Sequence, residues 1–597
     1  MPRAFRLAVL CLLPLLAAAC TSLGIAPSTR VFVAKTIITM DTEQPRATAV
    51  AVRDGEILAV GTVNDVEASL AGERFSVDRR FQDLVLVPGL IEPHLHPSIG
   101  AILLPMQFVT PHDWEILGAH FPGVRGRDAY LGRLRELEAA LPEDSFGDAE
   151  WLDTWGYHHL FHGELSRADL DAISTERPIL VWHRSFHEIF LNTAALEALG
   201  IEEAAVAEHP AIDWKRGHFY ETGLIAVVAE LTPRLSGLRR YLGALSKTRD
   251  VIHAGGITTI SDGAFGTLSL DSEWSALNLM WREGNTPFRT FLLPDGRAIG
   301  ERMAPSDSDD DPSAQFVAGH EAARDLMAGL SEKNTSRLLF RTDAVKLFAD
   351  GAFYSQLMCL GPPGYLDGHE CEWLMKPEEL LAAARVYWNA GLQIHVHANG
   401  DAGIDVALDV LETLQRENPR EDHRFALHHF GYSREDQSAR IAELGVVVSA
   451  NPYYLWALGD RYSEVGLGPE RASHMVRLGS LKRAGVPVSL HSDFTMAPAK
   501  PLRLASVAAS RISADGVLMA PDERLSIHQA LRAVTIDAAH LLRQEHRIGS
   551  IEVGKLADFT VLDADPYEVE ASALGDIGIW GTILEGRVWP IDRVTAP

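Results

Sequence analysis

Cysteine is scarce in this chain: four residues in 597, two of which, Cys11 and Cys20, fall within the first twenty positions. Only Cys359 and Cys371 remain, which excludes a disulfide framework as the basis of the fold. A disulfide closing the short Pro/Gly-rich loop between them and a pair of buried thiols both fit the sequence. Lys/Arg clusters are also missing, and the formal charge is −27. Phosphate backbones demand basic patches, so nucleic acid is excluded as a partner, and the acidic surface reads as solubility. After the N-terminus no apolar run reaches membrane length. No internal repeat stands out. What is plentiful is apolar residue, 47% of the chain, enough for one catalytic-size domain plus a smaller one.

The first twenty residues, MPRAFRLAVLCLLPLLAAAC, place Arg3 and Arg6 before an apolar core and then small residues. This is the layout of a secretory signal (1–20), too short for a bilayer span. Its ending, LLAAAC, resembles a bacterial lipoprotein box, with Ala17 where leucine is usual. Lipidation at Cys20 would make this a lipid-anchored protein of the bacterial cell envelope, in the periplasm or at the outer membrane.

Residues 30–87 and 546–597 read as short strands and turns, with Asp54-Gly55 as a hairpin signal. The two termini are therefore expected to build one small β domain. In residues 88–545 apolar strand-like runs alternate with helical patterns, the α/β signature of a parallel sheet with crossover helices. Eight runs qualify: 84–92, 257–262, 288–293, 343–348, 392–397, 424–429, 447–450 and 487–492. Eight is the number a closed (β/α)8 TIM barrel needs. A ninth run, 178–183, is assigned to a long insertion after strand one, residues 98–240. The acidic stretch SDSDDDPS from Ser306 reads as a solvated loop.

The chemistry-bearing residues fall where barrel active sites lie, at the C-terminal ends of strands. His94 and His96 follow strand one, and residues i and i+2 of an extended chain share a face. Lys346 lies in strand four, His397 ends strand five, His429 ends strand six and Asp493 follows strand eight. Imidazoles with a carboxylate suit a zinc-class ion, and such an ion brings the pKa of bound water to about 7. An ammonium does not suit a cation, but apolar neighbours favour the neutral amine of Lys346. That amine can add carbon dioxide, giving a carboxylated lysine that bridges two ions. His395 shares a face with His397, and His428 stands beside His429, so the strand-five and strand-six ligands have rivals.

At these residues the chain resembles the amidohydrolase superfamily, in particular the N-substituted formamide deformylase-like proteins of amidohydrolase family 3. The matching segments are VPGLIEPHLH, RPILVWHRSFHEIFLNTAAL, AVKLFADGAF, HVHANGDAGIDVALD, PERASHMVRLGSLKRAGVPVSLHSDF and GSIEVGKLADFTVLDADP, in order along most of the chain. The resemblance implies a distorted TIM barrel beside a β-sandwich built from both termini. It implies His94, His96, Lys346, His397, His429 and Asp493 as metal ligands, with Lys346 carbamylated and Asp493 the general acid/base. One or two divalent ions, Zn2+ first among them, would be the cofactor. His187, Glu221, Tyr453 and Arg511 are the candidates for substrate contact. The chain departs from the pattern at His428, where glutamate is usual, at His491 in place of glycine, and at Asn451-Pro452. His158, His159 and His162 form a further cluster that reads as surface.

The expected activity is hydrolysis of a non-peptide, amide-type carbon–nitrogen bond in a small molecule. Ester, lactone or cyclic-amide hydrolysis on the same site is the alternative, as is a metal- or solute-binding lipoprotein without turnover. A deaminase fits less well, because by the resemblance such enzymes lack the strand-four lysine. A homo-oligomer stays open, and the membrane is a partner only through the anchor at Cys20.

Overall fold

The run Leu84–Glu92, read from sequence as one strand, is two. Phe75–Pro88 belongs to a sheet built by the chain termini, and Leu90–Leu95 (β1) opens the central α/β unit. Gly89 separates them because the backbones approach so closely that a Cβ there would stand 2.0 Å from Thr258 Oγ1. The computed structural model describes residues 29–142, 151–206, 208–235, 237–305 and 311–591. The signal segment with Cys20, and most of the acidic stretch at 306, lie outside them.

The central unit continues with β2 (Ile257–Phe265), β3 (Arg289–Pro294), β4 (Ala344–Phe348), β5 (Gln393–Ala398), β6 (Ala426–His429), β7 (Val447–Ala450) and β8 (Val488–Leu490). Each overlaps one of the eight expected runs. All pairings among them are parallel. β1, β2, β3 and the short strand Leu338–Phe340 form one sheet, and β4 to β8 form another. A bridge between Asp295 and Lys346 joins β3 to β4. At the other seam, just past β8 and β1, Asp493 N–H donates to His94 C=O (3.1 Å) and His96 N–H to Phe494 C=O (3.2 Å). The strands are buried almost throughout, as parallel strands covered on both faces require. The helices cover them with one apolar face each. In Asp401–Glu417, Ile404, Ala407, Leu408, Leu411 and Leu414 recur at helical spacing and are buried.

The ninth run is a strand of another sheet. Ile179–His183 lies between Leu152–Tyr157 and Glu188–Leu191 in a six-stranded sheet whose members all fall between residues 107 and 220. The termini meet in a seven-stranded sheet ordered 587–590, 579–584, 559–562, 75–88, 29–38, 46–53, 56–61. Where a two-sheet sandwich was expected, the strands share one hydrogen-bonded sheet. Phe75–Pro88 is 14 residues long, so it pairs with Thr29–Ile38 along most of its length and with Phe559–Leu562 at its end. Phe32, Phe81, Phe559 and Ile583 pack on one side of this sheet, and Val31, Val33, Val66 and Leu70 on the other. Cys359 and Cys371 are joined by a disulfide. Among the described residues no helix is long and apolar enough to cross a membrane.

Candidate metal centre

Strand geometry brings the candidates together. Residues in register across a parallel sheet share a face. Lys346 pairs with His395, Phe348 with His397, and His397 with His428, so these side chains point to the interior. Alternation alone would turn His429 away. It faces inward because its backbone is left-handed (φ 74°) where β6 ends, and Asp493, just past β8, is left-handed too (φ 54°).

His94, His96, Lys346, His397, His429 and Asp493 all line one cavity of about 80 Å³, with His187, Ser185 and Phe348 on its wall. Asp493 is the hub. Its Oδ1 lies 3.1 Å from His96 Nε2 and 3.4 Å from His94 Nε2, and its Oδ2 lies 3.5 Å from His429 Nδ1. Burial alone would raise its pKa, but His429 and His96 outweigh that and hold the carboxyl well below the usual range. Burial keeps His94, His397 and His429 well below the ordinary histidine value, so these rings are neutral, as ligands must be. His96 differs: burial is outweighed by hydrogen bonds to Asp262 and Asp493, which raise it to about 9. Burial pushes Lys346 down to about 7, against the pull of Asp493 and Asp295.

Two atoms test whether these residues fit a metal. His94 Nε2 and Lys346 Nζ are buried without a hydrogen-bond partner, although both residues line the cavity. An unpaired buried polar group is costly, and a cation between imidazoles and a carboxylate is the partner such a donor set lacks. The residues fit a metal of the zinc class.

The candidate substrate residues divide. His187 lines the cavity, and its Nδ1 lies 2.6 Å from Glu221 Oε2. Burial works against charge on this ring, but Glu221 raises its pKa above the ordinary value. Glu221 itself stands behind His187 and does not line the cavity. Tyr453 is buried against Trp456 (ring centroids 4.7 Å apart) and is not on the cavity wall; its neighbour Tyr454 reaches His429 Nδ1 with its hydroxyl at 3.5 Å. The helical start at Tyr453 decides this, since adjacent residues of a helix face different ways. Arg511 is also away from the cavity: its guanidinium donates to the C=O groups of Ser473, Met475, Val476 and Met519 and so pins two segments of the chain.

Several residues at the centre were not singled out from sequence. Asp262, in β2, lies 3.7 Å from His96 Nδ1. Glu92 is fully buried, accepts from Ser492 N–H at 2.8 Å, and is pushed up to about 8 by burial. Arg184 donates to the C=O groups of Thr495 and Met496 (2.9 and 2.7 Å), tying the insertion to the loop after Asp493. Asp262 ends an apolar run just as the histidines do, which is a signal that sequence offered.

The second histidine cluster is not surface. His158, His162 and His183 are buried, and one ring nitrogen from each of His158, His159 and His183 lies within 4.8 Å of the others. The Leu160 N–H donates to His158 Nδ1 (3.2 Å), and the Ser185 N–H to His183 Nδ1 (3.1 Å). A neutral ring that accepts at Nδ1 carries its proton on Nε2. Glu188 Oε1 stands 3.3 Å from the same His183 nitrogen, looser than the 2.8 Å bond that Glu188 accepts from His218.

Fold and site together define a class. The chain is similar to the crystal structure of an uncharacterized metal-dependent hydrolase from Pyrococcus horikoshii OT3, with a TM-score of 0.67 at 21% identity, covering 91% of this chain and 99% of that one. The chain belongs to the Amidohydrolase family, whose sequence profile matches residues 82–590. Its relatives include the N-substituted formamide deformylase of Arthrobacter pascens, 25% identical over 92% of this chain and 96% of that protein. Protein LONG AFTER FAR-RED 3 of Arabidopsis thaliana is 26% identical over 89% of this chain and 87% of that protein.

Proposed function

We propose that this chain is a metal-dependent hydrolase of a small-molecule substrate, cleaving a non-peptide, amide-type carbon–nitrogen bond. The observation that carries the reading is the convergence of His94, His96, Lys346, His397, His429 and Asp493 on one cavity, with His94 Nε2 and Lys346 Nζ left unpartnered. The two parallel sheets then act as one distorted (β/α)8 barrel that presents its strand ends to the substrate.

One or two zinc-class ions held by these six residues would polarise the scissile carbonyl and make water nucleophilic at neutral pH. The neutral Lys346 amine adds to the carbon of carbon dioxide, forming an N–C bond and releasing a proton. This turns a would-be cation into an anionic ligand. Asp493 takes the proton of the attacking water and returns it to the leaving nitrogen. Its depressed pKa keeps it ionised at neutral pH. His187, held at Nδ1 by Glu221, presents its other face to the substrate. A short acyl group at the reacting carbon is in keeping with the formamide named for the Arthrobacter relative.

Lipidation at Cys20 would place the enzyme in the periplasm or at the outer membrane; a mature N-terminus without lipid, found by mass spectrometry, would overturn that placement. The activity is tested by loading the protein with zinc and offering matched N-substituted formamides, acetamides and esters. Release of amine from the formamides is expected. Turnover of esters alone would move the reading to ester or lactone hydrolysis, and turnover of none would favour a binding protein.

A further inference from the structure

Three imidazoles run in line from the candidate metal centre into the packed interior. His94 Nδ1 lies 2.8 Å from His428 Nδ1, and His428 Nε2 lies 2.8 Å from His395 Nδ1. None of the three is more than 1% exposed, so no water competes for these contacts. The far nitrogens at the two ends, His94 Nε2 and His395 Nε2, have no hydrogen-bond partner in the protein.

A hydrogen bond between neutral imidazoles needs one N–H and one lone pair, and each neutral ring has one of each. The proton positions in the line are therefore coupled. With the His94 proton on Nδ1, it is donated to His428 Nδ1; His428 must then donate from Nε2 to His395 Nδ1, and His395 carries its proton on Nε2. With the line reversed, His395 donates to His428, His428 donates to His94 Nδ1, and the His94 proton sits on Nε2. That nitrogen faces Asp493 Oδ1 at 3.4 Å. Only the first setting leaves a lone pair on His94 Nε2.

We propose that His428, backed by His395, is the positioning residue that sets His94 in its metal-binding tautomer. This rests on the reading of His94 as a metal ligand. Ligating histidines commonly donate their second N–H to a carboxylate or carbonyl. Here a neutral ring takes that place, so the ligand is oriented without adding negative charge to the centre.

The test compares zinc affinity, by competition with a chromogenic chelator, in the parent and in His428→Leu, His428→Glu and His395→Leu. Circular dichroism checks that each metal-free protein is folded. His428→Leu is expected to lose about 10- to 100-fold in affinity, the usual effect of removing such a partner. His428→Glu restores an acceptor for the His94 N–H and is expected to bind at least as tightly as the parent. His395→Leu is expected to lose a few-fold. A merely structural His428 predicts the opposite order, since leucine suits a buried site and a carboxylate does not. Parent-like zinc binding by His428→Leu would overturn the positioning role alone. A parent that binds no zinc would overturn the metal reading and the positioning role with it.

Discussion

His94, His96, His397 and His429 surround Asp493, while His158, His159 and His183 face one another in the inserted sheet. Both groups bring ring nitrogens within a few ångströms, and both are largely buried. They differ in what their second nitrogens do. His94 meets another ring, whose proton can sit on either nitrogen, so a lone pair can be freed for a cation. His158 and His183 accept backbone N–H groups, which cannot reverse, so each turns an N–H inward. Both clusters leave buried ring nitrogens unpartnered, so what separates them is the hydrogen bond behind the ring rather than the proximity of histidines.

The sharpest way to break this comparison is at its hub. Asp493→Asn removes the proton carrier and the charge that binds the first cluster together, and kcat is expected to fall about 10²- to 10⁴-fold. Steady-state kinetics on zinc-loaded protein checks it, and unchanged turnover would sink the role given to Asp493. Next comes Lys346→Ala, for which elemental analysis should show fewer ions per chain than in the parent. An equal count would leave the lysine without a ligand role. The pH dependence is smaller. His96 holds a proton up to about 9, and an ion must displace it. Below that pH the proton competes, so zinc affinity should rise by up to about tenfold per pH unit and level off above about 9. Chelator competition across pH 6.5 to 10 gives the slope, and a flat profile would contradict a protonated His96. The smallest effect belongs to the second cluster. His183→Gln should leave the ion count unchanged while costing about 1–3 kcal/mol of stability for the buried partners it abandons, measured by urea unfolding. A lost ion would overturn the contrast between the clusters.

Much of this arrangement was legible in the sequence because it depends on period and spacing. The eight apolar runs became eight parallel strands, and six side chains named from strand ends share one cavity. What was hidden depends on single backbone angles or on distant contacts. Alternation sets His428 and His429 on opposite faces, and only the left-handed turn at His429 brings both inside. Tyr453 and Tyr454 cannot be told apart until the helix start is fixed. Arg511 looks like any exposed arginine until four carbonyls from two segments close on it. His158 and His162 read as surface because what buries them is assembled from segments far apart in sequence.

The strand Phe75–Pro88 has a consequence for how the chain is made. It is finished early in synthesis, yet its partner Phe559–Leu562 is among the last segments to be added. Until then the sheet's middle is an open edge, a surface prone to pairing with other chains. A truncation that removes Phe559–Leu562 would therefore leave Phe75–Pro88 as an unguarded edge.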